Sequence, residues 1–142
     1  MLHSLWLWFA NLLFGTGAVI TPAPVDLAAG ETVFHAPKML TPVDDAMSVA
    51  IDLGKATEEK KKAILSGALQ LHDIGDVRVE VCRSQTECVP ATYSGPYFSR
   101  DSYGIGFLAI DDRLKGVKFS VVKIRTDRPL SKVVISWGNY TQ

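Results

Sequence analysis

From about residue 31 onward the chain alternates apolar and polar positions with a period of two, the pattern of half-buried β-strands. MSVAIDL sets Met47, Val49, Ile51 and Leu53 on one face and Ser48, Ala50 and Asp52 on the other. VRVEV sets Val77, Val79 and Val81 against Arg78 and Glu80. YGIGFLAI gives one side Tyr103, Ile105, Phe107 and Ala109; Gly104 and Gly106 fall on the other, where glycine marks a bulge or close backbone packing. ETVFH, VKFSVVKIRT and KVVISWGNY complete the set, the last with Val133, Ile135 and Trp137 in register. HDIGD, RSQTE, DDRLKG and TDRPLS fall between these runs and are rich in turn residues.

One stretch, TEEKKKAILSGALQLHD, supports two patterns. Thr57 ahead of Glu58 and Glu59 has the form of a helix start. Against it, Leu65, Leu69 and Leu71 alternate around Gly67, and a glycine inside a helix costs about 1 kcal/mol. The alternation favours a strand over residues 63–71 after a charged turn. About seven or eight strands at roughly ten-residue spacing, with no helix in the body, predict an all-β antiparallel β-sandwich of immunoglobulin-like or jelly-roll-like form. A small β-barrel is the alternative.

The N-terminus reads differently. From Leu5 to Ile20 only Asn11 is strongly polar, and the first charged side chain is Asp26. As a helix this run spans about 24 Å, short of the ~20 residues that a hydrocarbon core of about 30 Å calls for. A secretory signal wants Lys or Arg ahead of the apolar stretch and small residues at a cleavage site. Here only His3 and the α-amino group precede it, and Pro24 follows Ala23. Residues 1–21 are therefore read as a hydrophobic helix, a signal-anchor in preference to a cleaved signal peptide, with Trp6 and Trp8 suited to the membrane interface. Residues 22–30 read as a Pro/Ala linker and residues 31–142 as the β-sandwich domain.

The two cysteines, Cys82 and Cys88, flank RSQTE. A zinc site would need four ligands, and Cys82, Cys88, His35 and His72 have no supporting spacing. The pair is not the C-x-x-C of a redox dithiol, and no local base marks a catalytic thiol. Two strands joined by a polar loop instead bring the pair within bridging range, predicting a disulfide that staples one hairpin and requires an oxidising compartment. Lys38, the one cation within about twenty residues of the anchor's C-terminal end, argues faintly for a cytoplasmic body. The cysteines argue for the periplasm or cell exterior, with the membrane reached through residues 1–21, or for secretion if the N-terminus is cleaved.

Composition narrows the function. The chain has 142 residues, and its 15 Lys and Arg balance 15 Asp and Glu, so no basic excess favours nucleic acid. The basic run Lys60–Lys62 follows Glu58 and Glu59 and reads as a solvated turn. Asp111 and Asp112, with Asp101, Asp73 and Asp76, would bind calcium only if gathered at one end of the fold; aspartates are common in turns for backbone reasons. No metal or other cofactor is therefore assigned. SGPYFSRDSYG is the most suggestive segment: Tyr93, Tyr97, Phe98 and Tyr103 surround a Gly/Ser/Pro-rich loop, and Arg100 and Asp101 add polar contacts. Such aromatics suit a protein partner or a sugar. Asn139-Tyr140-Thr141 is a formal glycosylation sequon. No set of residues marks a catalytic site and no small-molecule ligand is specified. The sequence thus predicts a non-enzymatic, membrane-anchored extracytoplasmic module acting as a binding or assembly subunit of an envelope complex. The alternative is a secreted carbohydrate-binding or hydrolytic domain.

Overall fold

The computed structural model describes residues 17–139. The strands are β1 (Gly17–Val19), β2 (Val25–Leu27), β3 (Gly30–Leu40), β4 (Ala46–Lys55), β5 (Val77–Cys82), β6 (Cys88–Phe98), β7 (Ser102–Ile110), β8 (Phe119–Thr126) and β9 (Leu130–Asn139). Two short helices, α1 (Glu58–Leu65) and α2 (Leu71–Ile74), lie between β4 and β5. All strand pairings are antiparallel, in the order β1-β9-β4-β7-β6-β5-β8-β3, with β2 following β1 along the same edge of β9.

The all-β expectation holds, but the sheet is not split into the two layers of a sandwich. It is one ladder, nearly closed as a barrel. β6 makes the continuity possible: Cys88–Ala91 pair with β5, and from Thr92 onward the same strand pairs with β7. Register shifts between Tyr93 and Gly95 on β6 and between Asp52 and Gly54 on β4 supply bends; bulges of this kind raise local twist and roll a sheet toward closure. The last step is the corner at residues 28–29, where the chain leaves β2 on one sheet edge and returns as β3 on the other.

The inward face follows the alternation in the sequence. Met47, Val49 and Ile51 on β4, Val77, Val79 and Val81 on β5, Ile105, Phe107 and Ala109 on β7, and Val133, Ile135 and Trp137 on β9 are all buried. Burying each large apolar side chain stabilises the fold by about 1.5–3 kcal/mol.

Two segment readings change. The strand expected over residues 63–71 is the end of α1, a turn and the first residue of α2. Thr57 caps the helix, its hydroxyl accepting from the Lys60 N–H at 3.2 Å, and Glu58 and Glu59 occupy the first turn. Gly67, which argued against a helix, lies beyond the Ser66 C-cap with φ 77°, where a left-handed residue ends a helix and costs it nothing. The second change concerns the N-terminal boundary. The proposed anchor helix lies outside the described residues up to Thr16. Gly17–Val19 are strand, and Ile20 and Thr21 are buried, the Thr21 hydroxyl accepting from the Ile135 N–H at 2.9 Å. Residues 22–30, read as a linker, carry β2, and Leu27 is a core residue, because Val25 and Leu27 complete the open edge of β9. Among the described residues no helix is long and apolar enough to cross a membrane.

The register defines two barrel ends. Gly17, Asn139 and the connections 41–45, 83–87 and 111–118 share one end. The corner 28–29, α1, α2 and the turns 99–101 and 127–129 share the other.

Candidate functional site

The aromatic segment is not a loop. Tyr93, Tyr97 and Phe98 lie on β6 and Tyr103 on β7, in a hairpin whose turn is Ser99–Asp101. Strand alternation separates the rings. Tyr93 turns inward and packs edge-on against Phe107, with ring centroids 5.6 Å apart; burial pushes its hydroxyl pKa up. Tyr97 lies opposite Gly104, and Gly104 in turn lies opposite Asp52 on β4. Burial, reinforced by the Asp52 charge, raises the Tyr97 hydroxyl well above the ordinary phenol range. Asp52 is itself shifted upward, chiefly by partial burial, against the lowering effect of hydrogen bonds from the Ser102 side chain and the Gly54 N–H.

The outer part of the hairpin is what remains available. Phe98 and Tyr103 face each other across the ladder, both partly exposed, and the Lys60 ammonium of α1 stands 5.4 Å from the Tyr103 ring centroid. Such cation–π contacts contribute about 0.5–1 kcal/mol at exposed sites. Arg100 and Asp101 are exposed at the tip. The turn is held rigid: Ser99 N–H donates to the Ser102 carbonyl at 2.7 Å, Ser102 N–H donates to the Ser99 hydroxyl at 3.2 Å, and Ala56 N–H donates to the Asp101 carbonyl at 3.0 Å. The six residues singled out from the sequence thus divide. Tyr93 and Tyr97 are packed into the wall, while Phe98, Arg100, Asp101 and Tyr103 form a fixed tip beside α1.

Cys82 and Cys88 form a disulfide, directly opposite each other at the loop end of the β5–β6 hairpin. The loop they close folds toward β8: Lys123 Nζ donates to the Gln85 carbonyl, and Val121, opposite Cys82, is buried. With both thiols oxidised, the zinc set loses its two sulfur ligands. Among the described residues no group of three or more His, Cys, Asp or Glu is placed to hold a metal ion. The aspartates weighed for calcium are spread over both barrel ends, and Asp111 is taken by Arg113 at 2.7 Å, which holds its carboxyl far below the usual range. Asn139 of the sequon is buried, and its Oδ1 accepts from the Val43 N–H at 3.0 Å.

One surface feature escaped sequence reading. Glu31, Arg78, Glu80, Lys123 and Arg125 line a shallow depression of about 190 Å³ on the outer wall. Arg125 faces both Glu31 and Arg78, and Lys123 faces Glu80. The residues come from three strands far apart in sequence, and the only local signal was the outward position of Arg78 and Glu80. No protein-family model matches the chain, and a search of curated proteins finds no match.

Proposed function

We propose that the protein is a non-enzymatic, membrane-anchored module whose barrel stands on the extracytoplasmic side and serves as a binding or assembly subunit of an envelope complex. The Cys82–Cys88 disulfide supports an oxidising compartment, and the uncharged apolar run LWLWFANLLF ahead of β1 supports an anchor. One observation carries the binding role. The apolar segment joins the barrel at Gly17, and the Ser99–Asp101 tip lies at the opposite end. An anchor at the first end therefore presents the tip, with Phe98, Arg100, Asp101 and Tyr103, away from the bilayer. A rigid tip with aromatic and arginine side chains has the composition of protein-contact hot spots and little ordering entropy to lose on binding.

The test is photo-crosslinking of the full chain in membranes of the cells that make it. A crosslinker at Arg100 is expected to give a discrete adduct that Phe98→Ala removes, while one at Thr92 on the barrel wall gives none. Equal yields at the two positions, or a mature chain lacking its first twenty to thirty residues and released from membranes, would overturn the reading.

A further inference from the structure

The two barrel ends expose different side chains. At the Gly17 end the rim is built from the connections 41–45 and 111–118, tied together by hydrogen bonds. Gly116 N–H donates to the Pro42 carbonyl at 2.9 Å, and Asp111 N–H to the Asp45 carbonyl at 3.0 Å. Val43 N–H is held by the buried Asn139 side chain. On this fixed rim Met39, Val43 and Ile110 are 60%, 63% and 62% exposed. They cannot turn into the core, because Leu40, Leu114 and Phe119 already fill it at this end. Single exposed apolar side chains need no explanation, but three large ones share this end of the barrel, against Leu65 at the other.

The position of the rim says what it contacts. Ile110 pairs with Ala46, the next pair along is Met47 with Asn139, and Gly138 beside it pairs with Gly17. Only Gly15 and Thr16 separate Gly17 from Phe14, the last residue of the run LWLWFANLLF. Three Cα steps reach at most about 11 Å. Wherever that apolar run inserts, Gly17 is tethered within this distance of it, and the rim lies at the same end of the barrel as Gly17. We infer that the Gly17 end of the barrel rests on the bilayer, with Met39, Val43 and Ile110 seated in its interfacial layer. The inference rests on the anchor reading and adds the orientation of the domain and the residues that hold it there. Interfacial apolar side chains penetrate about 5–10 Å into the headgroup region. The rim's charges are of both signs, Asp44, Asp45, Asp111 and Asp112 against Arg113, Lys115 and Lys118. The contact is therefore apolar and forms on a zwitterionic bilayer.

The experiment uses the full chain reconstituted in phosphatidylcholine vesicles. Met39→Cys, Val43→Cys and Ile110→Cys are each labelled with an environment-sensitive fluorophore, the native cysteines being held in their disulfide. Leu65→Cys on α1, 62% exposed at the opposite end, is the reference. All four positions are exposed, so the variants keep the fold, as the retained disulfide and circular dichroism will check. Phosphatidylcholine carrying a nitroxide high on its acyl chain is expected to quench the three rim labels and leave the Leu65→Cys label unquenched. Protein that floats with the vesicles while the rim labels stay unquenched would overturn the orientation and leave the anchor standing. Protein that fails to float would overturn both.

Discussion

The ring of Tyr97 lies across Gly104, its paired neighbour on β7. A Cβ at position 104 would stand 2.5 Å from the Tyr97 hydroxyl oxygen and 2.2 Å from the Ile51 carbonyl oxygen. The ring occupies the space that a side chain at 104 would fill, and the β4 backbone closes it from the other side. Gly104→Ala is expected to destabilise the protein by about 1–3 kcal/mol or more in urea unfolding. Adding Tyr97→Ala should not restore stability, because the closer contact is with backbone.

Asp52 gives a pH dependence of definite sign. Its carboxyl is raised above 3.8 by burial, so the folded state binds its proton more tightly than the unfolded chain. Ionisation of Asp52 therefore lowers stability above the folded pKa, and the cost is absent below the unfolded value. Asp52→Asn keeps an acceptor for the Gly54 N–H and is expected to raise Tm at pH 7. Thermal melts should show that gain shrinking to nothing as pH falls below about 4.

The disulfide closes a short loop, so its entropic contribution is small, about 2 kcal/mol. The double variant Cys82→Ala, Cys88→Ala should remain folded by near-ultraviolet circular dichroism, with the unfolding free energy from urea titration lowered by that amount. Complete unfolding would show that the bridge organises the whole barrel and not one hairpin.

The cap of α1 is a single hydroxyl. Thr57→Ala removes the acceptor for the Lys60 N–H and should cost about 1 kcal/mol, whereas Thr57→Ser should be close to neutral. Urea unfolding of the two variants side by side tests this.

Lys132 has φ 51°, the one non-glycine residue in the left-handed region among those described. Its N–H is bound by Asp26 Oδ1 at 2.9 Å, beside the register shift between β2 and β9. Lys132→Gly relieves the strain of a left-handed side-chain-bearing residue and should raise stability by up to about 1 kcal/mol in urea unfolding.

What was legible in the sequence was local. Val77, Val79 and Val81, or Val133, Ile135 and Trp137, could be assigned to an inner face because the pleat sends alternate side chains to opposite sides whatever the strand pairs with. The disulfide could be foreseen because strand, polar loop and strand lie within a few residues of one another. The segment 63–71 misled because Leu65, Leu69 and Leu71 alternate as in a strand; Thr57, Glu58 and Glu59 decided it, and Gly67 proved to follow the helix. Of the candidate site, the hairpin residues could be named but not sorted. Only cross-strand register shows that Tyr97 covers Gly104 and Tyr93 meets Phe107, while Phe98 and Arg100 stay near the tip. The closure of the sheet was likewise beyond local reading, since sandwich and barrel strands alternate in the same way. Non-local partners decided it: β9 accepts β1 and β2 on its free edge, β6 divides its pairing between β5 and β7, and the chain turns at residues 28–29 to place β3 beside β8. Alternation is a property of each strand alone, whereas closure and side-chain neighbours depend on which distant strands share hydrogen bonds.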